Sequence, residues 1–180
     1  MKIILMGIQG SGKSTQGNLL SKKFKIAYLS SGHIFREMAK EKTSWGRYVK
    51  ETMNAGVLIP DSKTIQIIEE YLKKPEYQIG FILDGFPRTA MQAKEFTHKI
   101  DNVFYINISD KEALWRLAYR NDIVREDETI AAIRVRIESF HKYTRPVISH
   151  YKRKKLLVEI NGQQSIKKVH QDILKHLKVK

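Results

Sequence analysis

Two hydrophobic patterns alternate along the chain. Short, almost wholly apolar runs recur at residues 3–6, 26–29, 81–83, 103–108 and 156–160, rich in Ile, Val, Phe and Tyr. Such runs mark strands with no polar face. Between them apolar residues fall three and four apart, as in Ile65, Ile68 and Leu72, and again in Ile166, Val169, Ile173, Leu174 and Leu177. That spacing predicts helices with one buried side. Strands covered on both faces and alternating with helices predict an α/β fold, a five-stranded parallel sheet between two helical layers. Residues 30–60 break the alternation. They show helical spacing but no strand-like run, which predicts a small helical insert beside a core domain made of residues 1–29 and 61–180.

The first strand leads directly into Gly7-Ile8-Gln9-Gly10-Ser11-Gly12-Lys13-Ser14-Thr15, followed by a helical pattern through Leu19 and Leu20. This fits the phosphate-binding pattern G-x-x-x-x-G-K-[ST] in the strand–loop–helix setting the pattern requires. Its glycines let successive backbone N–H groups turn toward a phosphate, and the helix N-terminus adds a favourable dipole. Gly10, Ser11 and Gly12 are candidate nucleotide ligands, Lys13 is the mobile cation for the outer phosphates, and Ser14 or Thr15 offers a hydroxyl to Mg²⁺. The expected fold is therefore a three-layer P-loop NTPase sandwich. The loop alone does not name the reaction, because motors, GTPases and kinases share it.

Charge narrows the partners less than its size suggests. The 180 residues carry 33 Lys and Arg against 19 Asp and Glu, a net charge of +14. The surplus sits at the two ends. Residues 1–36 hold six basic residues and no acidic one, and residues 141–180 hold eleven basic residues against Glu159 and Asp172. The stretch between carries 16 basic and 17 acidic residues. Nucleic acid, an acidic membrane and a small phosphate compound all suit such a balance. The chain has no cysteine, which excludes disulfides, Cys-ligated zinc, iron–sulfur clusters and a Cys nucleophile, and suits a reducing cytosol. Its longest N-terminal apolar run is too short for a signal sequence or a membrane span. A soluble cytoplasmic protein is expected.

A second motif carries more. Gly80-Phe81-Ile82-Leu83-Asp84-Gly85-Phe86-Pro87-Arg88-Thr89 is followed by Gln92. Asp84 would end an apolar strand at its carboxyl edge, where α/β proteins bind ligands, and can hold Mg²⁺ through water. Arg88 follows a rigid Phe-Pro step and offers a planar fork to a phosphate. With the phosphate loop, with Leu29-Ser30-Ser31-Gly32 through Arg36, and with Gly56-Val57-Leu58-Ile59-Pro60-Asp61, this run resembles the adenylate kinase family of nucleoside monophosphate kinases. The similarity continues to Asn161-Gly162.

The resemblance implies Mg²⁺-dependent, reversible transfer of a phosphoryl group from ATP to AMP, giving two ADP. It places Arg36 and Arg88 on the AMP phosphate and Ser31 and Gln92 near the base. Backbone groups around Val57 and Ile59 would meet the adenine, and Gly85 would complete the AMP site. Five of the ten arginines lie between residues 116 and 136, a window without lysine. Arg116 and Arg120 are four apart and share a face if helical, while Arg125 and Arg136 are expected to flank the turn entering the next helix. By resemblance Arg116 stacks near the ATP base. Arg120, Arg125 and Arg136 bind the transferring group, and Arg134 matches no family position. A monophosphate oxygen is already nucleophilic, so catalysis needs alignment and charge neutralisation rather than a general base.

Three departures from the family pattern stand out. Gln9 replaces the usual Pro and Ser14 the usual Gly, and the Ser14 hydroxyl becomes available to Mg²⁺. His33 replaces the usual Asp, as a solvated helix-start histidine or as a pH-sensitive group. Only residues 121–124 separate Arg120 from Arg125 where relatives carry a hairpin or a small zinc-bearing domain, so a vestigial lid loop without zinc is expected. A monomer that takes ATP, AMP and ADP, with no membrane and no nucleic-acid partner, is the expected form. Two other readings stay open at this level: a kinase for UMP or CMP, and a nucleic-acid- or ribosome-associated ATPase that uses the basic run Lys152-Arg153-Lys154-Lys155.

Overall fold

The structure, a computed structural model, describes residues 1–119 and 129–177. Strands β1 (Lys2–Met6), β2 (Ala27–Ser30), β3 (Phe81–Asp84), β4 (Asn102–Asn107) and β5 (Leu157–Asn161) form one parallel sheet in the order β2-β3-β1-β4-β5. Every run expected to be a strand is one. Three of them, β2, β3 and β5, end one residue later than their apolar pattern, at Ser30, Asp84 and Asn161. Ladder hydrogen bonds are made by the backbone and continue past the last apolar side chain. Ser30 stands in register with Asp84, and Asn107 with Asn161.

The helices are α1 (Lys13–Phe24), α2 (Ser31–Met38), α3 (Ser44–Asn54), α4 (Asp61–Leu72), α5 (Pro75–Gln78), α6 (Ala90–Glu95), α7 (Asp110–Ala118), α8 (Ile130–Ser139), α9 (Arg145–Arg153) and α10 (Ile166–His176). Successive residues of β1 serve opposite layers. Ile4 and Met6 pack with Leu29, Leu83 and Val103 under α2, α3, α4, α6 and α9. Ile3 and Leu5 pack with Ile82, Phe104, Ile106 and Ile160 under α1 and α10. The central strand residues Ile3, Ile4, Ile82, Leu83 and Phe104 are wholly buried, and each such side chain contributes about 1.5–3 kcal/mol. This two-sided burial is why the strands carry no polar face.

Residues 30–60 form α2 and α3, capped by the side chains of Ser30 and Thr43. Ile34, Phe35, Val49 and Ile59 of this stretch belong to the same apolar cluster as β1 and β3. In the last helix Val169 and Ile173 are buried, but Ile166 is 60% exposed. The apolar stripe read there is thus shorter than its spacing suggests, because its first position opens on a cavity and not on the core. Between α8 and α9 the chain makes a π-helical turn, Phe140–Thr144. Pro146 lacks an N–H and its ring crowds the carbonyl four residues earlier, which favours the wider turn. Strand β1 lies between β3 and β4, so the chain leaves it toward β2 on one side and finds β4 on the other. A crevice opens at that point along the carboxyl edge.

Candidate active site

A cavity of about 690 Å³ occupies this crevice. Its floor is the loop between β1 and α1. Gly10 and Gly12 adopt left-handed conformations, at φ +84° and +92°, which a side chain would strain. The first turn of α1 carries no acidic side chain of its own, so the positive end of the helix dipole faces the cavity. The Lys13 ammonium curls onto the loop and donates to the carbonyls of Gly7 and Ile8, at 2.8 Å each. Burial pulls its pKa down to about 8; Asp84 opposes this shift and the Arg88 guanidinium adds to it. An anion in the loop would restore the charge. Ser14 and Thr15 are exposed and line the cavity, whereas Ser11 is buried and is not among the residues lining it.

Asp84 stands at the end of β3 and is 4% exposed. One of its oxygens, Oδ2, accepts hydrogen bonds from the Ser14 hydroxyl at 2.9 Å and from the Tyr28 hydroxyl at 2.7 Å. A hydroxyl and a carboxylate so placed beside a phosphate loop form an oxygen donor set that suits Mg²⁺. Among the described residues no group of three His, Cys, Asp or Glu side chains converges.

The opposite wall presents guanidinium groups. Arg88 is anchored at three points: its N–H donates to Gln92 Oε1 at 2.7 Å, its Nε to the Gly85 carbonyl at 2.8 Å, and its own carbonyl accepts from Thr144 at 3.0 Å. Gly85 has φ +78°, and a methyl group there would lie 2.7 Å from Ser31 Oγ and 3.0 Å from Arg88 Nη2. Burial, and then the charge of Arg136, pull the Arg88 pKa down; Asp84 opposes them and Arg36 adds to them. Three like charges held together by protein make a strong site for an anion. Arg136 donates to Gln9 Oε1 at 3.1 Å and to the Met53 carbonyl at 2.9 Å, joining the phosphate loop to the end of α3. It lies well inside α8, behind the Thr129 cap, and does not flank the turn that enters the helix.

The other expected residues are distributed plainly. Ser31, buried, donates to the Gly85 carbonyl, while Val57 and Ile59 line the same end of the cavity. Gln92 is 2% exposed and its amide is engaged, accepting from Arg88 and donating to Asp61 at 2.8 Å. It therefore builds the Arg88 site as well as facing the cavity. Arg116 bridges Glu112 at 2.7 Å and the Gly162 carbonyl at 2.8 Å at the other end. Arg120, Arg125 and the lid loop 121–124 lie outside the described residues. His33 is exposed on the first turn of α2. Sequence reasoning gave no role to Tyr28, Asp61 or Thr144. Asp61 lay in a quoted motif, and Tyr28 lay near the carboxyl end of a strand, but only the fold shows what each one meets.

The family model described as adenylate kinase matches residues 5–156. A curated adenylate kinase of Caldicellulosiruptor bescii is 36% identical over 212 aligned positions, covering 98% of this chain and 99% of that protein. Those of Caldicellulosiruptor saccharolyticus and Clostridium botulinum are each 35% identical, over 99% and 96% of this chain and 100% and 96% of theirs. The chain belongs to the adenylate kinase family. Its chemistry is that of a nucleoside monophosphate phosphotransferase. The 212 positions aligned with the C. bescii adenylate kinase outnumber the 180 residues here, so that relative carries segments with no counterpart in this chain. Among the described residues no helix is long and apolar enough to cross a membrane. The run Lys152 to Lys155 is exposed at the C-terminal end of α9, where cations complement the helix dipole.

Proposed function

We propose that the chain catalyses ATP + AMP ⇌ 2 ADP, with ATP phosphates on the loop from Gly10 to Thr15 and the AMP phosphate on Arg36 and Arg88. The observation that carries this reading is the convergence of two anion sites on one cavity, the phosphate loop with Lys13 and the Arg36–Arg88–Arg136 group, with Asp84 between them. One phosphate site would suit a hydrolase or a motor. Two facing sites suit transfer from one phosphate to another.

Lys13 follows the charge of the outer phosphates, and Arg136 bridges donor and acceptor sides through its contacts to the loop and to Met53. Arg120 and Arg125 are proposed to complete the cation set around the transferring group. Ser31, Gly85, Val57, Ile59 and Gln92 form the AMP end, and Arg116 with Gln164–Ile166 the ATP base end. Ser14, and Asp84 through water, are the residues that would hold Mg²⁺. That ion supplies charge neutralisation and orientation of the ATP phosphates. Proton abstraction is not needed, because the attacking oxygen is already ionised near neutral pH. The protein's task is to hold two polyanions close and in line while excluding water. The reading takes residues 30–60 as the AMP-binding insert and the chain as a cytosolic monomer.

A coupled assay of ADP formation with Lys13→Ala and Arg88→Ala tests this. Each variant is expected to lose at least a hundredfold in turnover while its circular dichroism stays unchanged. Wild-type turnover in either variant refutes the site. Turnover with UMP exceeding that with AMP refutes the acceptor.

A further inference from the structure

The geometry points to Tyr28 as a positioning residue for the carboxylate of Asp84, and through it for the bound metal. This rests on the reading that Ser14 and Asp84 serve Mg²⁺. Tyr28 lies on β2, in register with Ile82 and two residues from the position that pairs with Asp84. Its ring crosses toward α1 and its hydroxyl donates to Asp84 Oδ2 at 2.7 Å. Ser14 donates to the same oxygen from the first turn of α1.

Helix α1 makes room for this ring. A Cβ added at Gly17 would lie 2.3 Å from Cε2 and 2.7 Å from Cδ2 of Tyr28. Glycine inside a helix costs about 1 kcal/mol relative to alanine. The helix bears that cost at the one position where the ring must pass. A tyrosine phenol keeps its proton near neutral pH and is therefore the donor in this bond.

Two hydroxyl donors on one carboxylate oxygen restrict rotation about the Asp84 side chain. They occupy the acceptor capacity of Oδ2 and leave Oδ1 as the oxygen with most capacity for metal-bound water. The Ser14 hydroxyl can donate to Asp84 and still offer a lone pair to the metal. Tyr28 has no such second duty. It is the constant tether, and Ser14 is the shared one.

The test is equilibrium binding of a fluorescent, non-hydrolysable ATP analogue to the full chain, in excess Mg²⁺ and in EDTA. Tyr28→Phe keeps the ring against Gly17 and removes only the hydroxyl. Its affinity in EDTA is expected to equal that of the wild type, while the gain in affinity on adding Mg²⁺ falls about tenfold, the lower end of losses seen for such outer partners. Titrating Mg²⁺ at fixed analogue should shift the midpoint upward by a similar factor. Gly17→Ala, which keeps the hydroxyl but displaces the ring, should lose part of the same gain. An unchanged Mg²⁺ gain in Tyr28→Phe overturns the inference, and so does an equal loss with and without Mg²⁺. If wild-type binding is itself indifferent to Mg²⁺, the metal role of Asp84 fails and this inference fails with it.

Discussion

Lys13 offers the sharpest quantitative test, because burial depresses its pKa from the ordinary 10.5 to about 8. The cause is chiefly burial, so a bound polyphosphate should reverse it by placing negative charge against the ammonium. Above pH 8 the free protein would then have to take up a proton in order to bind. Its affinity for ATP should fall with the protonated fraction, about tenfold from the plateau by pH 9. At pH 8.5 about three quarters of a proton should be taken up for each nucleotide bound. Calorimetric titrations at pH 8.5 in two buffers of different ionisation enthalpy measure that uptake directly. The nucleotide phosphates are already fully ionised there and do not contribute. Lys13→Met should bind more weakly, with no dependence on pH between 7.5 and 9.5.

The same shift bears on stability. The unfolded chain holds the proton up to 10.5 and the folded chain only to about 8, so the unfolded state binds more protons between these values and stability rises with pH across that window. Below pH 8 the desolvated cation costs the ligand-free fold about 3 kcal/mol, a cost that phosphate binding would relieve. Proton uptake of zero, or an affinity flat from pH 7.5 to 9.5, refutes the lowered pKa of Lys13 in the ligand-free protein, and a Lys13→Met variant that binds ATP as tightly as the wild type at pH 7.5 refutes its assignment to the phosphates.

Three further outcomes follow from the geometry. Gly85→Ala should lose about 1–2 kcal/mol for the left-handed backbone alone and displace Ser31 and Arg88, so urea unfolding should shift and the KM for AMP should rise more than that for ATP; equal rises would show that Gly85 does not act at the AMP end. Gln92→Ala removes the acceptor for the Arg88 N–H and a donor to Asp61, at a cost of about 1–3 kcal/mol; an AMP affinity unchanged beside that loss would confine Gln92 to a structural role. Only four residues separate Arg120 from Arg125 in the sequence, so ADP formation from ATP without AMP is expected to be a larger share of turnover than in relatives with a longer segment there; no detectable AMP-independent turnover would show that water is excluded by other means.

Much of this molecule was legible without coordinates. The five strands, the phosphate loop and the carboxylate and arginine of the Asp84–Arg88 run are encoded locally. Burial of a strand on two faces forbids polar side chains, and a phosphate loop needs glycine, lysine and a hydroxyl in one short segment. That α2 and α3 are helical was visible in the absence of any strand-like run there. Less legible was the length of the buried stripe on α10, where Ile166 has apolar spacing but lines the cavity and stays 60% exposed. The place of Arg136 inside α8 was misjudged for a related reason, since only the Thr129 cap shows where that helix begins.

What the sequence determines by itself is a set of segments, each with its own chemistry: a loop for phosphate, a carboxylate at a strand end, and a cluster of arginines in a chain rich in surface lysine. Only the tertiary structure decides which of these segments meet. The strand order places β3 beside β1, which sets Asp84 against Ser14, seventy residues away in the chain. It places β2 on the far side of β3, which brings Tyr28 to the same carboxylate, and it carries Arg136 of α8 to both Gln9 and Met53. Such pairings are long-range. They depend on the register of parallel strands and on a glycine's missing side chain, and no local pattern of polar and apolar residues records either.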